Sequence, residues 1–389
     1  MSMSNPELDP KLADTRPGAV LRMRMWSPPD PPVRHRTLHP VETMGDITLG
    51  LAVVTAAVLV DRTSSGIGMA LTIAALSFSV WHSFVQVANR VSLRRADVRW
   101  SLLLVAVMGV AMAISTPDVM GRGGLAYTAA YWIARIALAR AVWARPEFGY
   151  GVNPYSMSAF FTGPLLAAGC AAEGDARLAI WVSAAIHDIA VPFVLRNRAP
   201  TISGDAEHMA DRSSLGVGAM VLGGGAMMLI RPDSEAAWPW WLAVAGATVL
   251  VGALWWAYVS VLRPAQLAPQ SDAVVGGLVV MYALLALALG AVLAYGAVRL
   301  VLASPLRLGD WWAAGILGSG LLVAYGGMAG VCSWLLGRVQ WWLWLGVAAG
   351  AVVVLAGYGW NLAVLGAAAV LAAVVAAKAV PLLPARPEA

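Results

Sequence analysis

The sequence predicts an all-α fold, a polytopic membrane helical bundle of about twelve transmembrane helices. Three observations carry this prediction. Of 389 residues, 60% are hydrophobic and 12% charged, whereas soluble domains carry about 25% charged residues. Many apolar runs reach about 18 residues, the length that crosses a bilayer. Most Lys and Arg residues lie between those runs rather than inside them.

The elements follow in order. Residues 1–42 are polar and Pro-rich ("SPPDPPV") with no apolar h-region. They are expected to form a disordered cytoplasmic arm, with the first membrane helix acting as an uncleaved anchor. Spans are expected at about 43–60, 66–88, 100–117, 124–143, 155–172 and 177–195. The second set is expected at about 213–230, 238–262, 273–303, 311–336, 341–358 and 360–381. This divides the chain into a first six-helix unit (43–196), a basic cytoplasmic linker (197–212), a second six-helix unit (213–381) and a short tail (382–389).

Charge sets the orientation. With the N-terminus inside, nineteen of the 26 Lys and Arg residues fall on the inner side and six on the outer, with Arg135 left inside a span. By the positive-inside rule, both termini are cytoplasmic. The basic balance of the chain is thereby explained by topology, and no nucleic-acid partner is needed.

The two units resemble each other. "WHSFVQV" (81–87) matches "WWAYVSV" (255–261), "GDITLGLAVV" (45–54) matches "ADRSSLGVGAMV" (210–221) and "ADVRWSLLLVAV" (96–107) matches "SDAVVGGLVVMY" (271–282). The offsets are 165 to 175 residues. Six spans is an even number, so the tandem units share one orientation, related by an axis along the membrane normal.

Charge inside a bilayer is costly and therefore informative. Glu42 and Asp46 stand at i and i+4 at the head of the first span. Arg135 lies mid-span, eleven residues past Gly124, or about 16 Å deep at 1.5 Å per residue. Asp188 lies in "AIHDIAVP", ahead of Pro192, which is expected to kink or open its helix. His208, Asp211 and Arg212 occupy i, i+3 and i+4, positions that share a helix face. Arg135 at that depth needs a carboxylate, and Asp188 and Asp46 are the candidates by depth. Glu42 and Asp211 also suit helix capping, and His82 suits an interfacial polar position. Glu42, Asp46, Arg135, Asp188, His208, Asp211 and Arg212 are the candidate ion- or substrate-binding residues.

The remaining features are quieter. Gly216, Gly218 and Gly223–Gly225 permit close helix approach, or a weakened helix beside a substrate path. The 18 tryptophans cluster at span ends, as an interfacial belt does. Cys170 and Cys332 have no metal or disulfide spacing and read as small buried hydrophobes. No ATP-binding or cofactor motif is present.

The pattern resembles the bacterial low temperature requirement A family. That family opens its first span with a motif like W-L-E-L-F-F-D-L, and "VETMGD" keeps Glu42 and Asp46 at the same spacing. "VANRVSLRRAD" keeps Ala88, Asn89 and Arg90 of an A-N-R-led loop. "YWIAR" matches Y-x-x-x-R at Tyr131 and Arg135, and Asp188 with Pro192 matches D-x-x-x-P. "HMADR" fits H-x-x-E-R with Asp211 in place of Glu, while the family's later L-G-E ends here in Gly ("LGGG") and a His expected near Leu284 is absent. The resemblance runs from about 38 to 340 and implies a divergent, multi-pass protein of the bacterial cytoplasmic membrane linked to growth in the cold.

Three functions follow as expectations. The first is a secondary transporter or ion-coupled permeability protein, with the lipid bilayer around it and a proton, cation or small solute as its partner. In it the acids bind the ion and the arginines act as counter-charges. The second is an intramembrane enzyme on a lipid or isoprenoid-like substrate, against which the lack of a nucleophile or paired-Asp motif weighs. The third is a structural or regulatory membrane protein whose charges hold helices together.

Overall fold

Local chemistry places each helix start in the computed structural model, which describes residues 38–143, 153–196, 205–228, 238–267, 273–335, 341–355 and 361–378. Helix α1 (Pro40–Leu59) opens on a capping box. The His39 side chain accepts from the backbone of Val41, Glu42 reaches back to the His39 N–H, and Pro40 takes the first turn. Helix α2 (Ser64–Arg90) is capped by Thr63, which accepts from Gly66 N–H at 3.1 Å. Helix α3 (Ala96–Ser115) continues into a 3-10 turn (Thr116–Asp118), and α4 spans Gly123–Val142.

Helix α5 is composite: Pro154–Met157, a π-helical turn at Ser158–Thr162, then Gly163–Cys170. Helix α6 is Gly174–Val194. Pro192 falls in its last turn, and the helix runs on two residues past it, so the expected opening is confined to the helix end. Helix α7 (Ala206–Met228) begins seven residues before the expected span. Asp205 starts it by accepting from the backbones of Glu207 and His208. The end of the expected linker is therefore helix.

Helix α8 is also composite: Trp238–Ala257, a π turn at Tyr258–Leu262 and Arg263–Leu267. Then come α9 (Ala273–Ala303), α10 (Trp311–Leu335), α11 (Trp341–Leu355) and α12 (Asn361–Lys378). Residues 1–37, 197–204 and 379–389, which hold most of the expected arm, part of the linker and the tail, lie outside the described residues.

Among the described residues, seven helices are long and apolar enough to cross a membrane by length and composition: α1, α2, α3 with its 3-10 turn, α6, α8, α9 and α10. The apolar stretches of α11 and α12 are shorter, at Leu343–Val353 and Ala363–Val375. The others, α4, α5 and α7, are an Arg-bearing helix, a segmented helix and a helix headed by charge.

Packing follows an order. Helix α1 packs on α2 and α3, α3 on α4, α4 on α5, α5 on α6, and α2 on α6. In the second half, α7 packs on α8 and α9, α9 on α10, α10 on α11, α11 on α12, and α8 on α12. The most extensive neighbour of α1 is α7. Lipid tails are as apolar as Leu, so close helix contact in a membrane depends on small residues. Gly50 supplies one here, since a Cβ on it would lie 2.5 Å from the Ala219 backbone. Gly223 supplies another against Val54, and Gly216 makes room for the Trp81 ring.

Candidate functional site

The sequence-predicted residues assemble into two buried networks and one surface pair. The first network lies between α1 and α7. Arg212 grips Asp46 with two donors: Nε to Oδ2 at 3.1 Å and Nη2 to Oδ1 at 2.8 Å. Trp81 Nε1 donates to the same carboxylate at 3.1 Å. The guanidinium lies over the Phe84 ring at 4.9 Å. One turn earlier on each helix, His208 Nε2 lies 3.1 Å from Glu42 Oε1, and Arg212 Nη1 lies 3.7 Å from that oxygen. All four ionisable side chains are buried. Within this network, Arg212 Nη1 is a buried donor with no hydrogen-bond partner among the described residues.

Helix geometry explains the arrangement. Glu42 and Asp46 are four residues apart, as are His208 and Arg212, so each pair lines one stripe of its helix. An acidic stripe on α1 then faces a basic stripe on α7. Glu42 uses both of its oxygens: Oε2 closes the α1 capping box at 2.9 Å, the capping role expected of it, while Oε1 faces His208.

The second network belongs to α2, α4, α5 and α6. Arg135 forms an ion pair with Asp188, both fully buried. Its remaining donors reach Tyr131 Oη at 3.0 Å, Ser83 Oγ at 2.8 Å and Ser79 Oγ at 2.6 Å. Thr162, in the π turn of α5, lies 3.4 Å from Asp188 and 3.0 Å from His187 Nδ1. Of the two carboxylates expected for Arg135, the pairing is with Asp188, because Arg212 holds Asp46. The cost of burying an unpaired guanidinium, several kcal/mol, is met by a carboxylate and three hydroxyls.

Asp211 stands apart from both networks. It is exposed and pairs with Arg263 at 3.0 Å. One residue along a helix is about 100° round it, so with Arg212 turned inward, Asp211 turns out. The expected common face therefore holds His208 and Arg212 but not Asp211. His82, half-buried, lies 3.2 Å from Gln86 on its own helix.

Residues missed at the sequence level are the neutral partners: Trp81, Ser79, Ser83 and Thr162. The hydroxyl pair at i and i+4 in "SFSVWHS" was the available signal for two of them. Among the described residues, no group of three or more His, Cys, Asp or Glu is placed to hold a metal ion.

Helices of this length and hydropathy, carrying ion pairs sealed in their interior, define a multi-pass helical membrane protein. The profile of the bacterial low temperature requirement A family matches residues 48–380. The chain belongs to that family. Glu42 and Asp46 lie just before the matched segment. The chain is also 25% identical over 214 residues to an uncharacterized protein, RA0937, of Rhizobium meliloti (strain 1021). That match covers 49% of this chain and 51% of the relative, so it spans about half the length of each. No solved structure matches.

Proposed function

We propose that this protein is a proton-linked secondary transporter or permeability protein, and that the α1–α7 network is its proton-binding element. The carrying observation is the buried contact between His208 and Glu42. Imidazole and carboxylate are the side chains most used to hold and pass protons. Here His208 faces Glu42 across the interface of two helices, both side chains buried. Arg212 Nη1, 3.7 Å from Glu42 Oε1 and making no hydrogen bond among the described residues, supports the same reading, since a buried donor without a hydrogen bond is a place where water or a solute group is accommodated.

The Arg135–Asp188 network carries a different reading. A pair of fixed opposite charges, closed by Ser79, Ser83 and Tyr131, holds α2, α4 and α6 together. We assign it a structural role.

The wider arrangement proposed is twelve crossings in two tandem six-helix units, with both termini in the cytoplasm, in the bacterial cytoplasmic membrane. The shared order of helix pairings in the two halves, the matched sequence segments and the distribution of Lys and Arg support it. Proton flux into proteoliposomes under an imposed pH gradient tests the function. Flux above protein-free vesicles that Glu42→Gln abolishes is the expected result. Equal flux in wild type and Glu42→Gln contradicts the reading.

A further inference from the structure

We propose that the groove between α3, α4 and the π turn of α5 binds one membrane phospholipid, its phosphate at Arg140 and an acyl chain along Trp132, Ile136 and Phe160. The groove has a volume of about 640 Å³, within the range of small-ligand sites. No residue lining this groove belongs to either charge network, and nothing in the proposed transport function requires it.

The lining changes character with depth. Arg140 and Trp143 stand where α4 ends, with Asp97 of α3 at the same rim. Ile136 and Trp132 lie one and two turns further in, and Trp132 is about 12 Å from the level of Arg140 at 1.5 Å per residue. A cation outside and an aromatic and aliphatic wall beneath it is the order of groups along a phospholipid. Trp143 has the place of an interfacial-belt residue.

The charge fits as well. Asp97 is paired with Arg95 at 3.3 Å. Arg140 forms no ion pair among the described residues, so its fork is available for charge-assisted hydrogen bonds to phosphate. Phe160, Ile136 and Trp143 are 66%, 52% and 68% exposed, so a lipid reaches the groove without parting any helices.

The deep wall is built rather than incidental. Trp132 Nε1 donates to the Ala159 carbonyl at 2.8 Å, inside the π turn. Its ring lies against Gly163, where a Cβ would fall 2.4 Å from Cδ1. π turns are rare and occur frequently at functional sites. This one is tied on its other side to Asp188 through Thr162, which holds the wall in place.

Native mass spectrometry and thermal unfolding of the purified full-length protein in detergent test the proposal. The probes are phosphatidylglycerol, a diacylglycerol of the same chains, and inorganic phosphate. The expected result is one retained phosphatidylglycerol that raises Tm. Arg140→Gln weakens its binding about tenfold or more, and Ala139→Trp, which fills the groove, abolishes it. Arg140 is exposed, and unchanged Tm without lipid confirms that both variants fold. Equal retention by wild type and both variants marks ordinary annular lipid and overturns the proposal. Equal protection by diacylglycerol overturns the phosphate contact. Equal protection by inorganic phosphate alone identifies a free-anion site and overturns the lipid.

Discussion

Asp46 and Arg212, 166 positions apart in the chain, meet in a two-point contact of 2.8 and 3.1 Å at the buried interface of α1 and α7. The contact ties the first helix of one half to the first helix of the other. Removing one member of a buried pair leaves the other charge uncompensated, at a cost of about 3–5 kcal/mol. Arg212→Gln is expected to show a loss of that size in detergent unfolding. Arg212→Lys keeps the charge but not the fork and loses less. Equal losses for the two variants argue that charge alone matters here and that the geometry contributes nothing.

The Arg135–Asp188 pair is predicted to be replaceable. Each single variant, Arg135→Met or Asp188→Leu, buries a lone charge and lowers stability by about 3–5 kcal/mol. The double variant removes both charges and is expected to lie nearer wild type than either single. A double-mutant cycle on Tm measures this, and simple additivity refutes the pairing as the stabilising link.

Close approach at Gly50 gives a third prediction. A methyl group there meets the Ala219 backbone, which cannot turn aside as a side chain end can. Gly50→Ala is expected to cost about 1–3 kcal/mol and to loosen the Asp46–Arg212 contact. Gly225 has nothing within 4 Å of its Cβ position, so Gly225→Ala is neutral or slightly stabilising, as a helical Gly-to-Ala change ordinarily is. Similar Tm shifts for the two variants contradict the proposed tight crossing.

Outside the membrane segments, Asp310 links two connections. It accepts from Arg62 Nη2 at 2.6 Å and from Ala313 N–H at 3.3 Å. Burial alone pushes its carboxyl up, but these hydrogen bonds and the charges of Arg62 and Arg307 outweigh burial and hold it below its ordinary 3.8. A carboxyl lowered on folding adds stability above its unfolded value and loses it as pH falls through the folded value. The Tm difference between wild type and Asp310→Asn is therefore expected to be constant above about pH 5 and to shrink below 3.8. A difference that grows on acidification reverses the assigned sign.

Much of the fold was legible because helix length and apolar runs are local properties. The expected first span began at residue 43 and the helix begins at Pro40, where His39 and Glu42 make a cap. Helix α7 was harder: its polar first turns resembled a linker, since the partners that make them helical and buried come from α1. That Arg135 lies inside an apolar run was readable, and so its need for an acid. Which acid was not, because depth along a helix says nothing of direction around the bundle. Asp188 and Asp46 were equivalent until α6 and α7 took their places. Asp211 shows the same limit at one residue, facing Arg263 while its neighbour Arg212 faces the core. Trp81 was visible as part of a repeated segment. Its bond to Asp46 depends on Gly216 leaving space for the ring, which no local pattern shows.

The central claim is a division of labour, with the α1–α7 network active and the Arg135–Asp188 network structural. Proton flux in proteoliposomes, measured side by side for His208→Gln and for the Arg135→Met/Asp188→Leu double variant, tests it most directly. The predicted result is lost flux in His208→Gln, which stays folded with a Tm lowered by the lost Glu42 contact, and retained flux in the double variant. Flux lost in the double variant but kept in His208→Gln contradicts the account.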